Sequence, residues 1–225
     1  MKINACFYTN EKFRFRENNL LNYLKNIGFD NVYPYKSEEV KVGTFYEENK
    51  EILNYEIGDG YWLWKPKIIL DSLNKMDYND VLVYTDSGDE LMSDILPNLK
   101  IHMQNYNYYF TNWGGDRWPQ KICTKRDCFI LMECDEDKYH NTPQMEAGFI
   151  AIKKNEEIIK FISDYFEFCK NKNIITDIPN EYGDNFNNWQ FHRHDQSILT
   201  NLIVKYNYTF FNNLDDYIKN NVYIV

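Results

Sequence analysis

The segment Asp80-Val81-Leu82-Val83-Tyr84-Thr85-Asp86-Ser87-Gly88-Asp89-Glu90 runs an apolar stretch straight into carboxylates. Apolar and aromatic residues in a row read as a buried strand, and in open α/β sheets ligands gather beyond the carboxyl ends of strands. Asp86 therefore stands where it could hold a divalent cation or a polar ligand. Asp89 and Glu90 could add oxygens, or cap the element that follows. The same Asp, Ser and Gly residues also suit a plain strand-end turn.

Three further patches carry side chains of the right chemistry. Gly58-Asp59-Gly60-Tyr61-Trp62-Leu63-Trp64-Lys65-Pro66-Lys67 sets two indoles and two ammonium groups at a helix start. That arrangement suits a nucleotide diphosphate, although either tryptophan could equally be a core anchor. In Gln144-Met145-Glu146-Ala147-Gly148-Phe149-Ile150, Glu146 precedes a strand, where a carboxylate could orient an acceptor hydroxyl or act as a base. Phe191-His192-Arg193-His194-Asp195-Gln196-Ser197 gathers two of the four histidines just before a helix. If the fold brings it to the Asp86 strand end, an imidazole could complete a metal shell. Asp195 is also what a helix N-cap looks like.

The elements that must position these patches alternate. Ile3 to Tyr8 reads as a first strand, and Leu20, Leu21, Leu24 and Ile27 recur at helical spacing up to Gly28. Val32-Tyr33-Pro34-Tyr35 reads as a strand near a sheet edge, because proline cannot donate to a ladder. Pro66 opens a helix, and the Val81 strand follows. Strand-like runs return at 106–111 and 148–152. Ile158, Ile159, Ile162, Tyr165, Phe166 and Cys169 make a helical stripe with Asn155 as its cap. Residues 172–192 read as irregular, and Ile198, Leu199, Leu202 and Ile203 form a last stripe. Strands alternating with helices predict an α/β fold on a largely parallel sheet, in one domain over 1–225.

Composition narrows the partners. The 225 residues carry a formal net charge of -9, with no basic cluster of the kind that nucleic-acid backbones need. No run of about 18 apolar residues offers a transmembrane span, so a soluble, cytoplasmic chain is expected, with at most transient contact to a membrane surface. The five cysteines lack paired zinc-site spacing and read as reduced core thiols.

Taken in order, Gly60-Tyr61-Trp62-Leu63-Trp64-Lys65-Pro66, Val83-Tyr84-Thr85-Asp86-Ser87-Gly88, Glu146-Ala147-Gly148-Phe149 and His194-Asp195-Gln196-Ser197 resemble small glycosyltransferases of the GT-A fold. The likeness is to those of bacterial capsule clusters and large DNA viruses, and it spans roughly residues 1 to 205. It implies a Rossmann-like, mostly parallel sheet flanked by helices, and transfer of a sugar from a nucleoside diphosphate sugar, UDP rather than GDP, to a hydroxyl of a glycan or glycolipid acceptor, as in polysaccharide biosynthesis. It implies Mn²⁺ or Mg²⁺ held by Asp86 and a late ligand, His194. Gly88 stands where the family's second Asp would be. Tyr8 and Thr9 fall where base and ribose are held, with Trp64 and Gln196 beside the donor. Lys65 and Arg193 fall at the diphosphate, and Glu146 or Asp195 at the acceptor. The departure at Gly88 keeps one alternative in view, a nucleotide-sugar binding protein on a degenerate fold, and a sugar-nucleotide hydrolase or nucleotidyltransferase using the same pocket is a second.

Overall fold

A computed structural model describes residues 1–91, 95–211 and 218–221, with the side chains of Glu90 and of 218–221 outside the described set. Seven strands are present among these residues: β1 (Ile3–Thr9), β2 (Asn31–Lys36), β3 (Val81–Thr85), β4 (Asp89–Leu91), β5 (Tyr108–Tyr109), β6 (Phe149–Lys153) and β7 (Ile218–Asn221). Five form the central sheet in the order β2-β1-β3-β6-β5, and β4 and β7 pair separately. β2 and β3 lie parallel to β1, while β6 is antiparallel to both β3 and β5. Four of the five strands thus run one way and β6 alone is reversed. β2 is an edge strand, as Pro34 predicts.

Side chains on these strands alternate between two cores. Cys6, Tyr8, Leu82, Tyr84, Ile150 and Ile152 face one side, and Ala5, Phe7, Val81, Val83, Phe149 and Ala151 the other. Both faces are covered, which is why β3 reads as a continuous apolar run rather than an alternating one. The first face is covered by helices Trp64–Asn74, Glu156–Cys169 and His194–Lys205, the second by Glu17–Asn26 and Ile95–His102. Helix Glu156–Cys169 buries Ile158, Phe161, Ile162, Tyr165 and Cys169 along one stripe, and the Asn155 side chain caps it by accepting from the Ile158 N–H at 2.8 Å.

Helix His194–Lys205 departs from expectation at its start. Its cap position is Arg193, with no side-chain cap, and Asp195 lies inside the first turn at 4% exposure. Capping is thereby excluded, because the Asp195 carboxylate is turned into the core. All five cysteines are buried and free. Among the described residues no helix is long and apolar enough to cross a membrane.

Candidate active site

Because β6 is reversed, its entry lies at the same edge of the sheet as the exit of β3. The chain leaving β3 at Asp86 and the chain entering β6 from Glu146 therefore meet, with the Asp86 N–H donating to the Gly148 carbonyl at 2.8 Å. The Glu146 carboxylate folds back to accept from the Gly148 N–H at 2.6 Å. A Cβ on residue 148 would lie 2.9 Å from Glu146 Oε1 and 3.1 Å from Asp86 Oδ2, so glycine lets the two carboxylates crowd one backbone face.

Lys65 ties this edge to the two helices. Its ammonium, 2% exposed, donates to the Ala147 carbonyl at 3.0 Å, pairs with Asp195 Oδ2 at 2.8 Å and lies 3.9 Å from Asp86 Oδ1. Burial alone would lower its pKa, but Asp195 and Asp86 outweigh that and raise it, so the group stays charged. Asp195 also accepts from the Tyr165 hydroxyl at 3.1 Å, and Asp86 from the hydroxyl of Tyr84.

In front of Asp86 opens a cavity of about 350 Å³ whose lining includes Tyr8, Asp59, Trp62, Trp64, Asp86 and Gly88. The Tyr8 and Trp64 rings stack at 3.7 Å with 16° between planes. Its floor is an unusual turn: Gly58, Asp59, Gly60, Tyr61 and Trp62 all have φ between 52° and 100°, one left-handed turn before the right-handed helix begins. Each non-glycine residue there costs roughly 1–2 kcal/mol. Local bonds hold the turn. Asp59 accepts from Ser37 Oγ at 2.7 Å, from Lys41 Nζ at 2.5 Å and from the Tyr8 hydroxyl, and the Trp64 indole donates to the Gly58 carbonyl at 2.9 Å.

The site is rich in negative charge. Asp89, which also lines the cavity, has its carboxyl pushed up to about 8 by burial and then by Asp86 and Glu146. Glu146 is likewise raised, by burial first and by Asp86, against the opposing Gly148 N–H and Arg193. Among the described residues no three His, Cys, Asp or Glu side chains converge as a ready-made metal cage. The crowded carboxylates suit a cation held by one or two protein oxygens, with substrate phosphate and water completing the shell, as is usual for Mg²⁺.

The sequence-derived candidates divide. Tyr8, Trp64, Asp86 and Gly88 line the cavity, and Glu146 adjoins Asp86. Thr9 does not fit its expected role: it is 0% exposed and its hydroxyl donates to Glu17 at 3.2 Å, because the side chain at that strand position points into the protein. Lys65 is buried behind Asp86, bonded to the Ala147 carbonyl and Asp195, so it positions Asp195 and faces Asp86 rather than meeting a diphosphate. Gln196 is buried, its Oε1 accepting from the Ala147 N–H at 3.3 Å and from Arg193 at 3.1 Å. The Arg193 guanidinium lies over the Trp113 ring at 4.1 Å. His194 stands on the wall of a neighbouring cavity behind Trp62, its Nδ1 3.0 Å from the Ile175 carbonyl.

Sequence reasoning passed over Arg16, which donates to the Gly88 and Ser87 carbonyls at 3.1 and 3.4 Å and fixes the loop after β3. The signal was the short basic alternation Lys12, Arg14, Arg16 just beyond β1, where Lys12 also lines the cavity.

No family model matches the chain, and no curated protein matches it significantly. Among solved structures it is similar to a glycosyltransferase involved in glycosylation of the major capsid of PBCV-1, at 11% identity and TM-score 0.45, over 85% of this chain and 82% of that one. It is also similar to the apo bifunctional glycosyltransferase WbbM, at 11% identity and TM-score 0.49, over 93% of this chain and 38% of that one. Apo mouse xyloside xylosyltransferase 1 aligns at 11% identity and TM-score 0.46, over 93% and 71% of the two chains. These are distant overall likenesses, and the chemistry rests on the residues of the cavity.

Proposed function

We propose that the protein transfers a sugar from a nucleoside diphosphate sugar to a hydroxyl of a glycan acceptor. The observation that carries this reading is the convergence at Lys65: its ammonium touches or faces Asp86, Ala147 and Asp195, so the four sequence patches that resemble glycosyltransferases meet at one edge of the sheet.

The base and ribose would lie against Tyr8 and Trp64, which line the cavity, with UDP the expected nucleotide. Asp86, with Asp89, would hold Mn²⁺ or Mg²⁺. When bound, such an ion neutralises the diphosphate and eases its departure. In the transfer, the acceptor oxygen bonds to the anomeric carbon as the bond from that carbon to the diphosphate oxygen breaks. The bonding pair leaves with the diphosphate. Glu146, whose pKa is raised, receives the hydroxyl proton. Lys65 holds Asp86 and Asp195 in place throughout.

Asp86→Asn should lower turnover of a UDP-sugar at least about 100-fold while leaving the circular dichroism spectrum unchanged. Full activity in that variant would remove the role assigned to Asp86. Gly88, in place of a second carboxylate, favours one competing reading, a nucleotide-sugar binder without transfer. Tight UDP binding with no sugar release to any acceptor or to water would select it.

A further inference from the structure

A second cavity, of about 420 Å³, lies on the far side of the Trp62–His194 ring pair. Asp177, Asn185, Trp189, Gln190, Phe191 and His194 are among its lining residues, and it shares none of its lining with the cavity in front of Asp86. The two are nevertheless neighbours. The Trp62 indole lines the first cavity and stacks on the His194 imidazole, which lines the second, at 5.6 Å and 21°.

The chemistry of the lining is specific. Lys125, its one lysine, donates to the Ile178 and Thr176 carbonyls at 2.7 and 3.3 Å, so that cation is spent on closing the loop. Asp177 opposes it in charge, and nothing in the lining selects for an anion. Polar groups remain for a neutral ligand. The Asn185 carbonyl oxygen takes the Arg126 N–H and the Asn180 amide, both at 2.8 Å, which leaves its amide nitrogen uncommitted among the described residues. The exposed Gln190 amide and the His194 Nε2 are similarly available. Trp189 and Phe191 supply flat apolar faces, and the buried Trp189 indole N–H has no acceptor among the described residues. Planar amides, a neutral imidazole and aromatic faces together match a pyranose, which presents hydroxyl edges and an apolar C–H face.

The aromatic surface continues out of this cavity. Phe191 lies 5.5 Å from Trp118, Trp118 lies 5.6 Å from Trp113, and Arg193 covers Trp113. The Trp113 main-chain N–H donates to the Gln144 carbonyl at 2.6 Å, two residues before Glu146. A strip of rings therefore leads from the second cavity towards the carboxylates of the first.

We propose that this cavity and strip bind a neutral saccharide chain, at least two sugars long, as the acceptor. This rests on the transfer reading above and gives it a substrate class, with the chain's terminal hydroxyl as the attacking oxygen. The test is a titration of the ¹⁵N-tryptophan-labelled 225-residue chain, without donor, against lactose, cellobiose, maltotriose and N,N′,N″-triacetylchitotriose, reading the five indole resonances. At least one saccharide should shift Trp189 and Trp118 saturably at millimolar concentration and leave Trp64 in place, whereas UDP should move Trp62 and Trp64. Gln190→Ala, at an exposed position, should weaken saccharide binding about tenfold, as should Phe191→Ala. If none of the saccharides moves Trp189 or Trp118, or if both variants bind as the parent does, the inference is overturned. A UDP response with no saccharide response overturns it while the transfer reading stands. Saccharide binding without turnover of any nucleotide sugar does the reverse.

Discussion

Lys65 is an ammonium with no exit to solvent, and its charge survives only because two carboxylates surround it. Removing one side of such a pair leaves the other buried and unpaired, which typically costs more than the pair itself contributes. Lys65→Met should therefore destabilise the fold by about 3 kcal/mol in urea unfolding, and a loss under about 1 kcal/mol would contradict the geometry. Asp89 shows the opposite situation, a carboxyl among carboxyls, pushed up to about 8. The folded chain keeps a proton there that the unfolded chain has released. Its contribution to stability is thus greatest below the ordinary value of 3.8, falls as pH rises towards 8, and is constant beyond. Asp89→Asn should flatten the decline of the urea midpoint across that window. An unchanged slope would show that the proton resides elsewhere.

At the scale of elements, the left-handed turn at 58–62 sets the floor of the cavity in front of Asp86. It aims Asp59 at Tyr8 and Trp62 at His194, and a right-handed turn would point both elsewhere. At Gly60 an added Cβ would meet backbone, 2.7 Å from the Leu53 Cα, and φ is +100°. Gly60→Ala should cost about 2 kcal/mol or more in stability and weaken UDP binding, measured by denaturation and calorimetry. No sequence period announces such a turn. Short apolar runs made β1 and β3 legible, because both faces of these strands are buried, and a period of 3.6 made the helical stripes at 158–169 and 198–203 legible, because each buries one face. The Asn155 cap was legible for the same reason, as a polar residue directly before such a stripe. Asp195 has the same sequence appearance, but its partner Lys65 is 130 positions away, and distance in sequence hides the ion pair.

At the scale of the molecule, charge decides how a ligand can enter. A chain of net charge -9 with carboxylates at its cavity repels a bare diphosphate, so nucleotide and cation should bind together. UDP with Mn²⁺ should raise the unfolding temperature, the equivalent of about 2.7 kcal/mol at a hundredfold excess over Kd, with UDP or Mn²⁺ alone giving far less. An equal shift from UDP in the presence of a chelator would argue that the Lys12 and Arg16 side of the cavity supplies the positive charge instead. The alternation of strands and helices was enough to predict the layered fold. The direction of β6 was not predictable, since an apolar strand reads the same parallel or antiparallel, and with it went the reason Glu146 reaches Asp86.

That reversal makes the active edge a product of sheet register. Thr85 stands opposite Phe149, so the residues just beyond each, Asp86 and Gly148, face one another across the last rung of the ladder. Sliding β6 by one residue would exchange its two core faces and at the same time move Glu146 away from Asp86 by a full residue. Mis-pairing of this sheet cannot yield a stable protein with a displaced site, so wherever the chain folds correctly the spacing of these two carboxylates is already set.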